Sequence, residues 1–295
     1  MLFRSIADEA GERVLIGETH GQEAELAAES HGKSGDELHM AFNFDFLNQP
    51  WSAASFRASA ERWYAALPPG AWPNFTLSNH DRPRAAFRFR SSEPKITEAR
   101  ARLAATMLLT LRGSPFVYYG EELGMGCQRI PKASLRDPLG IRTWPLGFLG
   151  RDPERTPMQW DASANSGFTS GRPWLPLNRD YVSRNVAAEA SDPDSTLSLY
   201  RRVLSLRKSR ASLREGDIAF LDGPDKDVLA YLRSAGSERS LVLLNFASRP
   251  ARFNLADKGF AGAEALLSTE AVRALGELGE EVALAPCEGL VCDLR

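Results

Sequence analysis

Between residues 13 and 119, short apolar runs alternate with stretches of helical periodicity. The runs at 13–17, 38–46, 74–78 and 116–119 are rich in branched and aromatic residues. Helical stretches at 22–30, 52–67 and 97–111 separate them. Strands joined through helices cannot form hairpins, so this order predicts parallel β/α units. Two of the runs end in acids. Arg13-Val-Leu-Ile-Gly leads into Glu18, and Asn74-Phe-Thr-Leu-Ser leads through Asn79 and His80 into Asp81. A barrel of parallel strands builds its site at the C-terminal strand ends, so acids at two of them predict a carboxylate site on that fold.

Local signals sharpen this reading. Residues 2–10 have the pattern of an amphipathic helix tail closed by Gly11. The run 13–17 is expected to be a buried strand. Ser52 can cap a helix whose Phe56, Ala60, Trp63 and Leu67 share one face, and Pro68-Pro69-Gly70 ends it. Thr97 is expected to cap a helix with Ala99, Leu103, Met107 and Leu111 in register, and Gly113 stands where a C-terminal cap belongs. From Gly120 to Asp194 the chain is rich in Gly, Pro, Trp and Arg and lacks periodicity. A long irregular stretch in a compact domain is usually functional, and this one is expected over the strand ends. Its Trp144, Phe148, Trp160, Phe168 and Trp174 can stack on sugar rings or pack the loops against one another. Helix returns at 195–208, with Leu199, Val203 and Leu206 inward. Short alternating runs at 217–221, 228–233, 240–246, 252–255 and 263–267 then predict an antiparallel β-domain. The expected division is a barrel part over 1–210 and an all-β part over 211–295.

The chain has 295 residues, 43% hydrophobic and 25% charged, with a net charge of −2. That balance carries no electrostatic footprint for nucleic acid or a membrane surface. No run approaches the roughly 18 apolar residues that span a bilayer, and the N-terminus lacks a signal-peptide pattern. Cys127, Cys287 and Cys292 are odd in number and without zinc spacing, which reads as reduced packing thiols in a cytoplasmic protein. The histidines His20, His31, His39 and His80 show no HExxH spacing. Glu18 and His20 share a strand face, but one pair is not a ligand set, so no metal is expected. No dinucleotide fingerprint, phosphate-binding loop or nucleophile elbow is present, so no cofactor is expected either.

Two acids remain as candidates. Burial at a strand end would disfavour the charged form of Glu18 and move it towards general-acid behaviour, although a charged residue also commonly caps a strand where it meets water. His80 and Asp81 suit sugar hydroxyls, the acid accepting hydrogen bonds and the neutral imidazole donating one. Asn79-His80-Asp81 reads equally as an Asx-type turn.

Taken together, these segments resemble the α-amylase family of glycoside hydrolases, in particular its α-glucosidase and oligo-1,6-glucosidase branch. Arg13-Val-Leu-Ile-Gly-Glu18 is similar to the fifth barrel strand with the acid/base Glu. Leu77-Ser-Asn-His-Asp-Arg-Pro-Arg84 is similar to the seventh strand with the His-Asp pair. Gly113-Ser-Pro-Phe-Val-Tyr-Tyr-Gly-Glu-Glu-Leu-Gly-Met125 resembles the eighth strand and its loop. Arg151-Asp-Pro-Glu-Arg-Thr-Pro-Met-Gln-Trp160, with Asp161 and Gly167-Phe168 after it, is the most specific block.

The resemblance implies the C-terminal half of a (β/α)8 TIM barrel, strands five to eight, followed by a small antiparallel β-sandwich domain. It implies retaining chemistry on an α-glucoside or oligosaccharide substrate. Glu18 would protonate the leaving oxygen and later activate water. Asp81 would hold hydroxyls of the distorted sugar, His80 would bind the same sugar, and Arg155 would line the aglycone side. One part of the pattern is missing. The family's nucleophile is an Asp on the fourth strand, and the acids upstream of Glu18 are only Asp8, Glu9 and Glu12, none on a strand. Retention needs two carboxylates about 5–5.5 Å apart, and Asp81 is not the family's nucleophile.

The expectation is therefore a C-terminal piece that is inactive alone, from a complete protein that releases terminal α-linked glucose from malto- or isomalto-oligosaccharides or sucrose-like glucosides. A glucosyl transferase or isomerase of the trehalose synthase or sucrose isomerase type shares these blocks. A non-catalytic amylase-like partner protein is a third reading, which retention of Glu18, His80 and Asp81 opposes. Linkage preference, oligomeric state and any metal held by the first half of the barrel are left open. Open sheet edges on a half barrel predict poor solubility.

Overall fold

The computed structural model describes residues 2–19, 23–145 and 150–294. His20, Gln22 and Phe148, invoked above, lie outside the described residues. The first part of the chain forms α1 (Leu2–Glu9), β1 (Ile16–Gly17), α2 (Ala24–Glu29), β2 (Met40–Ala41), α3 (Phe44–Leu47), α4 (Ala53–Ala66) and β3 (Asn74–Thr76). There follow α5 (Ala85–Arg88), α6 (Pro94–Thr110), β4 (Ser114–Phe116), α7 (Pro138–Arg142), α8 (Val186–Ser191), α9 (Thr196–Ser209) and α10 (Ala211–Arg214). The remainder is all β: β5 (Asp217–Leu221), β6 (Val228–Ala235), β7 (Glu238–Asn245), β8 (Ala251–Asn254), β9 (Ala263–Ser268), β10 (Gly276–Leu278), β11 (Glu281–Leu284) and β12 (Gly289–Leu294). No helix among the described residues is long and apolar enough to cross a membrane.

These elements belong to two compact units. Met1–Leu77, Met107–Phe116 and Leu206–Arg295 form the first, and Ser78–Thr106 with Val117–Ser205 form the second.

In the first unit the expected β/α pattern is realised. β1 pairs with β2 in parallel, Ile16 opposite Met40, and β3 pairs with β4 in parallel, Asn74 opposite Ser114. The buried Asn74 side chain donates to the Ala41 carbonyl at 2.6 Å, which ties β3 to β2. Ser52 Oγ accepts from the Ser55 N–H at 3.3 Å and caps α4, as its sequence predicts. Phe56, Ala60 and Trp63 on one face of α4 are buried, and the Phe46 ring lies 5.0 Å from Phe56 and 4.6 Å from Phe75. Gly113 has φ +135° just before β4. A β-carbon there would sit 2.6 Å from the Pro73 carbonyl oxygen, so the approach of the two segments requires glycine.

The β-rich part of this unit is a sandwich. Six antiparallel strands run in the order β10-β9-β12-β7-β6-β5, and β8 pairs with β11 as a second, two-stranded layer. Leu241, Leu243, Leu290 and Cys292 of the large sheet share one core with Phe253, Val282 and Leu284 of the small one. Alternation produces this core: Val282 and Leu284 are buried while Glu281 and Ala283 are exposed. Arg233 is buried among carbonyls, Nη2 donating to Gly216 at 2.9 Å, Nε to Asp217 at 3.3 Å and Nη1 to Thr110. Burial lowers its pKa to about 10. Arg207 likewise donates to the carbonyls of Leu109 at 2.9 Å, Leu111 at 3.3 Å and Gly113 at 2.6 Å.

Several local expectations are corrected. The strand over 13–17 shrinks to Ile16–Gly17 and is not buried: Val14 is 60% and Ile16 44% exposed. With one ladder neighbour among the described residues, β1 is an edge with little around it to cover its side chains. The strand over 38–46 is limited to Met40–Ala41, because Asn43 Oδ1 accepts from the Phe46 N–H at 3.0 Å and starts α3. Thr97 does not cap α6. The helix begins a turn earlier at Pro94, and Thr97 Oγ1 instead accepts from the Ser91 N–H at 2.8 Å. The fourth strand is Ser114–Phe116 and ends where 116–119 was expected to run. Strands β10 to β12 follow the last run predicted.

The second unit is largely irregular, as the composition of 120–194 predicts. Leu123, Met125, Met158 and Leu197 form a small core, with Tyr119 and Val186 against it. Among the described residues, Cys127, Cys287 and Cys292 form no disulfide.

Candidate functional site

The second unit opens with a tight turn. Asn79 Oδ1 accepts from the Asp81 N–H at 2.9 Å, and the Arg82 N–H donates to the Asn79 carbonyl at 3.4 Å. The Asx turn is real, and it places His80 and Asp81 at its tip. Arg155 grips that tip as a fork. Its Nε donates to the His80 carbonyl at 2.9 Å and its Nη2 to Asp81 Oδ1 at 2.8 Å. Arg151 Nη1 reaches the same oxygen at 3.3 Å, and His80 Nε2 lies 3.4 Å from it. The three contacts to the Asp81 carboxylate all engage Oδ1 and none uses Oδ2. The Asp81 side chain remains 37% exposed, so an oriented carboxylate stays accessible to hydroxyl donors. Two guanidiniums on one carboxylate make a surrounding poorly suited to a metal ion.

Arg151 is held from behind. It precedes a single helical turn over Asp152–Arg155, which Arg155 ends. The buried Asp152 carboxylate accepts from the Arg136 N–H at 2.6 Å and the Asp137 N–H at 3.0 Å. Asp137 Oδ2 accepts from the Arg151 N–H at 2.7 Å and lies 3.5 Å from Arg151 Nε, while Oδ1 caps α7 through the Leu139 N–H at 3.3 Å. Burial works against the charge of Asp137, but the Arg151 and Leu139 N–H groups and the Arg151 guanidinium hold its carboxyl below the usual range.

The base of the turn is anchored by buried polar groups. Ser78 Oγ donates to Glu121 Oε1 and accepts from the Ala85 N–H at 3.1 Å, while the Tyr118 N–H donates to Glu121 Oε2 at 2.9 Å. Burial pushes the Glu121 carboxyl up to about 7 against these donors. The buried Arg84 donates through Nε to the Tyr119 carbonyl at 3.0 Å and through Nη1 to Gly126 at 3.2 Å, and its guanidinium lies 4.7 Å from the Tyr119 ring centre. Glu154 is buried one residue before Arg155. Burial raises its pKa to about 7, with Arg84 and Arg155 opposing.

Three of the four predicted site residues, His80, Asp81 and Arg155, thus meet in the second unit. Glu18 belongs to the first unit, directly after β1, and is exposed rather than buried. At Gly17 a β-carbon would run into the Leu38 side chain. Asp8 and Glu9 lie on α1, where Asp8 pairs with Arg4 Nε at 2.9 Å. Sequence reasoning missed Arg151, Asp137 and Glu121. The signal for Arg151 was present, since it stands four residues before Arg155 in the same block. Asp137 accepts from the Arg151 N–H and Glu121 from the Ser78 hydroxyl, partners distant in sequence that no spacing rule reveals.

A family model for the catalytic domain of α-amylase matches residues 2–216, and one for the C-terminal domain of maltogenic amylase matches residues 218–290. The chain belongs to the α-amylase family. Its α-amylase relatives include the oligo-1,6-glucosidase of Parageobacillus thermoglucosidasius, 32% identical over 313 residues, which cover 96% of this chain and 55% of that enzyme. Among solved structures, a mutant of the trehalulose synthase MutB superposes with a TM-score of 0.88 at 32% identity, over 99% of this chain and 57% of that one. The α-glucosyl transfer enzyme XgtA gives a TM-score of 0.86 at 34% identity, over 100% and 53%. The chain thus spans about half the length of the relatives it matches. Its fold is the C-terminal part of the α-amylase barrel followed by the antiparallel sheet domain, in a family whose members hydrolyse or transfer glycosyl groups.

Proposed function

We propose that this chain supplies the C-terminal part of a retaining enzyme acting on terminal α-linked glucose, in malto- or isomalto-oligosaccharides or sucrose-like glucosides. The observation that carries the reading is the Asp81 carboxylate, oriented by Arg155, Arg151 and His80 yet open on one oxygen. In this reading Asp81 accepts hydrogen bonds from ring hydroxyls, and its charge favours the positive character that develops at the anomeric carbon. His80 binds the same sugar, and Arg155 sets the tip on the aglycone side. Glu18 gives its proton to the glycosidic oxygen as the bond to the anomeric carbon breaks and a carboxylate nucleophile bonds to that carbon. Glu18 then takes a proton from water, which attacks the carbon and releases the nucleophile. No strand-borne acid precedes Glu18 in these residues, so the 295-residue chain by itself should not turn over. The division into a barrel part over 1–210 and an all-β part over 211–295 belongs to the same proposal.

A second reading is favoured by the similarity to MutB and XgtA: transfer of the glucosyl group to a sugar acceptor rather than water. A chimera tests both, with residues 2–295 replacing the matched part of the oligo-1,6-glucosidase and p-nitrophenyl α-D-glucoside, maltose and sucrose as substrates. Hydrolysis that falls at least about 100-fold in Glu18→Gln, with the folded unfused chain inactive, is the expected result. Products lengthened by one glucose would support transfer. A folded chimera whose activity ignores both Glu18→Gln and Asp81→Asn would refute the assignment.

A further inference from the structure

A separate pocket of about 150 Å3 lies in the second unit, lined by Ser134, Arg136, Arg172, Pro173, Trp174, Leu175 and Pro176. A single water needs about 10–15 Å3 of such space, so the pocket holds several waters or one small ligand. Its composition is selective. Trp174 is 46% exposed. Arg136 and Arg172 line the same space, and neither is ion-paired among the described residues. No carboxylate lines the pocket, so a cation has no partner there, whereas hydroxyl oxygens find donors on two guanidiniums and on Ser134.

The walls are preorganised. Pro173 and Pro176 restrict the backbone on either side of Trp174 and the buried Leu175. Gln128 Nε2 donates to the Leu177 carbonyl, and Asn165 Nδ2 donates to Gly171 at 2.9 Å and to Thr169 at 3.0 Å. Arg136 Nε donates to the Trp174 carbonyl at 3.3 Å, and its own N–H is fixed by Asp152 at 2.6 Å. A flat ring, donors beside it and a backbone that need not be ordered on binding form the usual constitution of a ligand site.

We propose that this pocket is a second saccharide site, separate from Asp81, that takes one neutral pyranose unit of an α-glucan against the Trp174 ring. The choice of a glucan rests on the α-glucoside reading above. The existence of a separate site does not, so the two fail in different experiments. Maltotriose is titrated into the full chain by calorimetry, and Trp174→Ala, Trp174→Phe and Asp81→Asn are compared with the unaltered protein. Saturable binding is expected, weakened at least about tenfold in Trp174→Ala, nearly kept in Trp174→Phe, and unchanged for this component in Asp81→Asn. Equal binding in the Trp174→Ala variant would overturn the proposal. So would the absence of saturable binding, or a response to inorganic phosphate without one to maltotriose, which would identify an anion site.

Discussion

Glu121→Gln isolates the contribution of one buried carboxyl to pH-dependent stability. The folded chain holds this group at about 7, against 4.5 as its ordinary value, because burial outweighs the donors from Ser78 and Tyr118. Between those values the folded chain keeps a proton that the unfolded chain releases, so stability falls as pH rises through the window and levels off above it. At about 1.4 kcal/mol per pH unit, this single group removes about 3 kcal/mol between pH 4.5 and 8. Glutamine removes the titration and can retain the hydrogen bonds. Its Oε1 accepts from the Tyr118 N–H in place of Glu121 Oε2. Its amide can donate to Ser78 Oγ, the hydroxyl that donates to Glu121 Oε1 in the parent. Urea unfolding followed by circular dichroism at several pH values between about 4.5 and 8 measures the effect. The variant should match the parent near pH 4.5 and exceed it by about 3 kcal/mol at pH 8. A difference that stays constant across the range would refute the claim that Glu121 is protonated by burial.

Other perturbations read the same architecture. Asp137→Asn should flatten the acid limb. Asp137 is held below its ordinary value, so its share of stability is present above about pH 4 and is lost as pH falls further; an acid titration with as steep a fall in the variant would contradict this. Gly113→Ala should cost about 3 kcal/mol, from the positive φ and the clash with Pro73, visible as a lower urea midpoint. Arg207→Ala leaves three carbonyls without their donor and should cost a similar amount, again about 3 kcal/mol; a midpoint unchanged from the parent would show that water replaces the guanidinium.

The alternation of β and α elements was legible because branched runs and capping residues act locally. Ser52, Phe56 and Trp63 behave as their spacing predicts. The failures have a common cause. Asn43 ends a strand early and Pro94 begins a helix early because one side-chain hydrogen bond or one fixed φ outweighs a hydrophobic pattern a few residues long. At the candidate site, Asp81 was recognisable because the turn that presents it is contiguous. Its support was not, since Arg151, Asp137, Asp152 and Glu121 come from segments tens of residues away, and Asp137 and Asp152 act through main-chain donors that every sequence possesses. The burial expected of the strand over 13–17 failed because apolar residues on an edge strand need not be covered, and Glu18 is accordingly a charged residue where that strand meets water.

The first compact unit is assembled from three separated stretches of sequence, the last of which runs from Leu206 onward. A ribosome releases the chain in order, so Trp51, whose indole donates to the Phe246 carbonyl at 2.9 Å, must wait for nearly two hundred further residues to emerge before it finds that partner. The last segment of the second unit ends at Ser205, before that stretch begins. Synthesis therefore releases the Asp81 turn before the last strands of the first unit. A nascent chain stalled near residue 205 would carry an Asp81 clamp ready to form while the long-range contacts of the first unit were still unmade.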